Sequence, residues 1–166
     1  MLTARVQLDR IEEMLAEFSR QDGTMRPLAL YQAQHLAILA MLRSVGHVFD
    51  KVDAGDPARK SWARERWSRW RTEPIFRDFI DLERNRLLKE YRGGIEARDA
   101  AITNVAAVAD AAYPGLTSLV VALDPTRLRA SDGTNFLERI HEAIAFWRRN
   151  LAEAEAAFAR LESGHE

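Results

Sequence analysis

From Asn135 to Leu161 the apolar residues Phe136, Ile140, Ile144, Trp147, Leu151, Ala154 and Phe158 recur every three or four positions, with charged residues between them. That spacing describes one face of a single α-helix. At 1.5 Å per residue the helix would be about 40 Å long. Its one apolar stripe must lie against other long elements to leave water.

Such elements are legible upstream. Leu2, Val6, Ile11, Leu15 and Phe18 repeat at near-helical spacing, and Gln21-Asp22-Gly23 closes the helix they predict. A second helix is expected to enter at Thr24 to Pro27, where proline suits a first turn, and to continue past Phe49 to Val52. Its middle, LAILAMLRSV, is apolar on most sides and marks the central helix of a bundle. Asp56-Pro57 couples an N-cap to a first-turn proline and starts a third helix. Thr72-Glu73-Pro74 repeats that punctuation for a fourth, which runs to about Arg92 and closes at Gly93-Gly94.

Residues 95–133 follow no single period. Ile102, Val105, Val108 or Ala109, and Ala112 predict a short alanine-rich helix. LTSLVVALD leans toward strand, but its only nearby partner is the stretch just read as helical. The expected fold is therefore all-α, an antiparallel bundle of four to five helices with an irregular insert at about 95–133 that has room for a short strand pair. The 166 residues fit one domain spanning 1–166.

Composition removes several chemistries. There is no cysteine, so disulfides, thiolate metal sites and cysteine nucleophiles are excluded. The opening residues MLTARVQLDRIEE lack the apolar core of a signal peptide, and the longest apolar run, Leu36 to Leu42, is too short to cross a bilayer. A cytoplasmic protein without a membrane partner is expected. Gly-rich phosphate loops and nucleophile elbows are absent.

Charge is uneven under a net −1. Pro57 to Arg98 holds twelve Lys or Arg against seven Asp or Glu, while Asp132 to Glu166 holds four against seven. The chain uses 21 arginines and three lysines, so arginine number alone does not identify a phosphate site. In the third helix Trp62, Ala63, Trp67 and Trp70 fall within an arc of about 140°, with Lys60, Arg64, Arg69 and Arg71 beside or opposite it. Two readings follow: a helix that buries its tryptophans, or a basic surface with aromatics for base stacking. Stacking needs exposed rings, which favours the first.

The fourth helix carries the sharper feature. Phe76, Phe79, Ile80, Leu87 and Tyr91 form its stripe, and Glu83 falls in the middle with Arg84 on the flank. A carboxylate there needs a partner, because an unpaired buried charge is costly. Either it pairs with an arginine of the preceding helix, or Glu83 and Arg84 together line a polar cleft.

Phe79-Ile80 followed by Glu83-Arg84-Asn85-Arg86-Leu87-Leu88-Lys89-Glu90-Tyr91 resembles the signature helix of HEPN-domain proteins. In that family an Arg, often followed by Asn, precedes a His on a helical bundle, and active members are metal-independent ribonucleases that usually work as dimers. Arg84 and Asn85 match; the histidine position holds Lys89, and no His lies between Phe49 and Ile140. Lysine is a cation at neutral pH and a poor general base. The resemblance thus implies a catalytically degenerate, homodimeric module binding RNA or a partner protein in an RNA-directed or defence-related setting. Arg84 would contact phosphate, Asn85 would orient it and Lys89 would add charge; Glu83, Arg84, Asn85 and Lys89 are the catalytic candidates if turnover exists. Lys60, Arg64, Arg69, Arg71, Arg84 and Lys89 form the expected binding face.

Two alternatives stand beside it. One is an interaction bundle that dimerises through an apolar helix face with no nucleic acid. The other is a metal-dependent bundle enzyme. Glu138 and His141 have the spacing of a carboxylate-bridged site, but only one such motif is present. His35 and His47 face about 120° apart on one helix, so a site would need one of them with His141. No cofactor is predicted.

Overall fold

The computed structural model describes residues 1–90, 94–96, 98–109 and 115–163. Its helices are α1 (Thr3–Arg20), α2 (Leu28–Val48), α3 (Pro57–Trp70), α4 (Leu82–Lys89) and α5 (Phe136–Ser163). Three strands accompany them, β1 (Met25–Pro27), β2 (Ile102–Ala109) and β3 (Thr117–Leu123). The chain is mostly helical, and the insert supplies two strands of a small antiparallel sheet that β1 completes, so the fold is not purely α. Among the described residues no helix is long and apolar enough to cross a membrane.

The long terminal period is realised as α5, which buries Phe136, Ile140, Ile144, Phe146, Trp147, Leu151, Ala154 and Phe158. Each large apolar side chain so buried contributes about 1.5–3 kcal/mol. Asn135 caps this helix, its Oδ1 accepting from the Glu138 N–H at 3.1 Å. On α1 the core is formed by Leu8, Ile11, Leu15 and Phe18, with Val6 half-buried beside them. The Asp56 cap is made as the sequence predicts, its Oδ1 accepting from the Arg59 N–H at 2.9 Å. Buried apolar residues from all five helices except α4, and from β3, form one continuous core cluster.

Two segments depart from regular α geometry. The chain leaves α2 through a π-helical stretch, Phe49–Asp53, and approaches α4 through a second, Ile75–Asp81. The first delivers Asp53 to the start of α1. There its Oδ1 accepts from the Thr3 N–H at 2.7 Å and its Oδ2 from the Ala4 N–H at 2.8 Å. Leu2, at the N-cap position, has no side chain able to do this, so an acid 50 residues away satisfies two orphan donors.

Three sequence expectations need correction. Met25–Pro27 is strand, and the second helix starts one residue later, at Leu28. The fourth helix is π-helical at first and its α portion ends at Lys89; Tyr91, Arg92 and Gly93 lie outside the described residues. Ile102–Ala109 is strand, not an alanine-rich helix, and Ala112 lies outside the described residues. Ile102, Thr103, Val105 and Val108 are β-branched and suit a pleated surface, and β3 supplies the hydrogen-bonding partner.

The strand order is β1-β3-β2, antiparallel throughout. Val105 faces Val121, Ala107 faces Leu119 and Ala109 faces Thr117, with a bulge between Ile102 and Asn104. Val121, Ala122 and Leu123 are buried, and this end of β3 packs on α2.

Candidate functional site

The tryptophans of α3 point inward. Trp70 is buried and Trp62 and Trp67 are half-buried, all packed with Phe49, Phe76, Trp147 and Phe158. Trp67 stacks on Trp147 with centroids 6.4 Å apart. Gly46 of α2 makes this possible, since a Cβ there would come within 2.5 Å of the Trp67 ring. The rings are therefore committed to packing and are not a stacking platform for bases.

Of the basic residues expected beside them, Lys60 is spoken for, its Nζ donating to Asp50 Oδ1 at 2.7 Å. That hydrogen bond holds the Asp50 carboxyl below its usual range. Arg64, Arg69 and Arg71 are exposed and have no ion-pair partner among the described residues.

On α4 the structure separates Glu83 from Arg84. Glu83 is buried, and its Oε1 accepts from the Ser131 N–H at 3.0 Å and from the Ser131 hydroxyl. The Arg86 guanidinium donates to the same hydroxyl. Glu83 thus fastens α4 to the loop ahead of α5. It makes no ion pair with an arginine of α3, and it shares no partner with Arg84.

Arg84 belongs to a different chain of contacts. Its Nη1 donates to Asn85 Oδ1 at 2.8 Å, Asn85 Nδ2 donates to Asp81 Oδ2 at 3.1 Å, and Asp81 Oδ1 accepts from Arg43 Nε at 2.9 Å. Arg43 comes from α2 and sits between rings, its guanidinium carbon 5.5 Å from the Trp67 centroid and 5.3 Å from that of Phe76. The order matters electrostatically. Asp81 is paired with Arg43, whereas Arg84 is held by a neutral amide and has no carboxylate partner among the described residues. Lys89, one turn beyond Asn85, is exposed and has no partner among the described residues. The arrangement can hold an anion; among the described residues it offers no group placed as a general base beside Arg84.

Comparison with protein-family models, with curated proteins and with solved structures finds no match for this chain. The likeness to HEPN proteins therefore rests on the α4 residues themselves.

The histidines are dispersed. His35 is buried at 4% exposure with its ring 4.4 Å from that of Phe136, and burial pushes its pKa down to about 4. Among the described residues its Nδ1 has no hydrogen-bond partner. His47 and His141 are both exposed, and His165 lies outside the described residues. Among the described residues no three His, Asp or Glu side chains are placed to hold a metal ion, so the set of His35 or His47 with His141 is not assembled.

Sequence reasoning did not find Arg43, Asp81 or Ser131. Asp81 was within reach, since it lies one turn before Asn85 on the same face. Arg43 and Ser131 are brought in by tertiary packing and carry no local signal.

Proposed function

We propose that the protein is a HEPN-like helical module that binds RNA through the α4 cations without cleaving it. The observation carrying this reading is the Arg84 guanidinium, which Asn85 orients and which has no carboxylate partner among the described residues, together with the exposed Lys89 one turn beyond Asn85. A guanidinium held at one nitrogen retains donors for a phosphate oxygen. Arg64, Arg69 and Arg71 add exposed charge on α3 that would extend a salt-sensitive contact. Turnover is not expected: the histidine position of the motif holds Lys89, and Glu83 is occupied by Ser131.

Titration of a labelled single-stranded RNA, followed by anisotropy at two or more salt concentrations, tests the reading. Arg84→Ala or Lys89→Ala should weaken binding and lower the slope of log affinity against log salt by about 1 each. Equal affinities for the parent and both variants in low salt would overturn it. A dimeric interaction module is the second reading. It is favoured by the exposed valines of β2 and not by a helix face, since the large exposed apolar residues on helices are isolated ones such as Leu30 and Leu82.

A further inference from the structure

The two edges of the sheet differ in kind. The β1 edge is three residues long, contains Arg26 and Pro27 and lies against α2. A charge and a residue without an N–H both discourage further pairing. The β2 edge is eight residues long, ITNVAAVA, with no charge and no proline. Six of its residues are exposed, Val105 at 48% and Val108 at 49%. A long, neutral, unguarded edge is a template for another strand.

The register fixes which backbone groups that edge offers. In an antiparallel strand each residue turns its N–H and C=O to the same side, and neighbours alternate. The Leu123 carbonyl accepts from the Gly23 N–H at 3.1 Å, on the β1 side, so odd-numbered residues of β3 turn toward β1 and even-numbered ones toward β2. Asn104, Ala106 and Val108 oppose Ala122, Val120 and Ser118 and use their groups on β3. Val105, Ala107 and Ala109 therefore turn outward. The Val105 N–H agrees, donating to the Asn104 side chain at 2.9 Å.

We propose that β2 is a dimer interface, pairing antiparallel with β2 of a second copy about a two-fold axis at Ala107. Ala107 then opposes the partner's Ala107, Val105 opposes the partner's Ala109, and Val108 opposes the partner's Ala106. The outward residues are symmetric about Ala107, as a self-complementary interface requires. Each valine meets an alanine, and alanine at the axis permits the roughly 5.5 Å Cα separation of a hydrogen-bonded pair. The neutrality of the strand favours a second copy as occupant. Two copies bring no like charges together, and a charged partner strand would find nothing complementary. The product is one six-stranded sheet, within the usual range. This inference is independent of the RNA reading, since no α4 residue takes part.

Sedimentation equilibrium of the full chain should give twice 18.9 kDa for the parent at tens of micromolar. Ala107→Pro removes an N–H that turns away from β3 and is unpaired among the described residues, so its circular dichroism should be unchanged while the dimer dissociation constant rises at least about tenfold, two ladder bonds being lost at the axis. Ala107→Lys should do the same by charge repulsion, and serves if the proline disturbs the hairpin. A parent that stays at 18.9 kDa would overturn the proposal and leave the edge to a strand of another protein. A dimer unaffected by either substitution would overturn it as well.

Discussion

His35 makes acid sensitivity a direct test of how α2 and α5 pack. The imidazole is enclosed, lies against the Phe136 ring and has no partner for Nδ1 among the described residues, and its pKa is lowered by burial to about 4. In the unfolded chain it titrates near 6.5. Between these values the unfolded state binds more protons than the folded one, so stability is complete above about pH 6.5 and falls as the pH drops toward 4. Integrating that proton difference from pH 7.5 to pH 5 gives a loss of about 2 kcal/mol. Asp50, held low by Lys60, titrates below this window and does not contaminate it. The assay is urea unfolding at half-unit steps from pH 5 to 7.5, on the parent and on His35→Leu. Leucine removes both the titration and the unsatisfied nitrogen, so the variant should be at least as stable at pH 5 and show a nearly flat profile. Parallel profiles for the two proteins would refute the assignment of the slope to His35.

Three further outcomes follow from named contacts. Asp53→Ala removes both acceptors at the start of α1 and should cost about 1–2 kcal/mol in denaturant unfolding, with Asp53→Asn intermediate. Gly46→Ala should lower the melting temperature despite alanine's better helix propensity, because its Cβ would sit 2.5 Å from the Trp67 ring and overpacking costs about 1–3 kcal/mol. Glu83→Ala strands the Ser131 N–H and should cost about 1–3 kcal/mol, whereas Glu83→Gln keeps an acceptor there and should recover most of it; equal losses would show that the contact with Ser131 is not the cause.

The sequence was most informative where period and punctuation agreed. The stripe from Phe136 to Phe158, the Asp56-Pro57 start and the inward tryptophans of α3 all appear in the structure, because each depends on neighbours within a turn or two. It failed at Ile102–Ala109, where apolar residues three apart satisfied a helical template by coincidence and only pairing with β3 decides the conformation. The capping of α1 by Asp53 was invisible for a related reason. No residue near Thr3 announces it, and the donor–acceptor match exists only once α2 has turned through its π-helical end. At the candidate site the Arg84-Asn85 pair was legible as sequence. The distinction between a guanidinium paired with a carboxylate and one without such a partner among the described residues needed Arg43 and Asp81, which arrive from another helix and another turn.

All four tryptophans meet in one cluster, with the Trp62–Trp70, Trp67–Trp70, Trp67–Trp147 and Trp70–Trp147 centroids between 6.2 and 6.5 Å apart. Indoles this close pass excitation from one to another, so the tryptophan emission should be depolarised even in the rigid folded state, which a fluorescence anisotropy measurement checks. It reports the junction of α3 and α5 and is blind to the sheet, whose strands carry no aromatic residue. An unfolding curve followed at the tryptophans and one followed at the β2 amides would therefore describe two different regions of the same molecule.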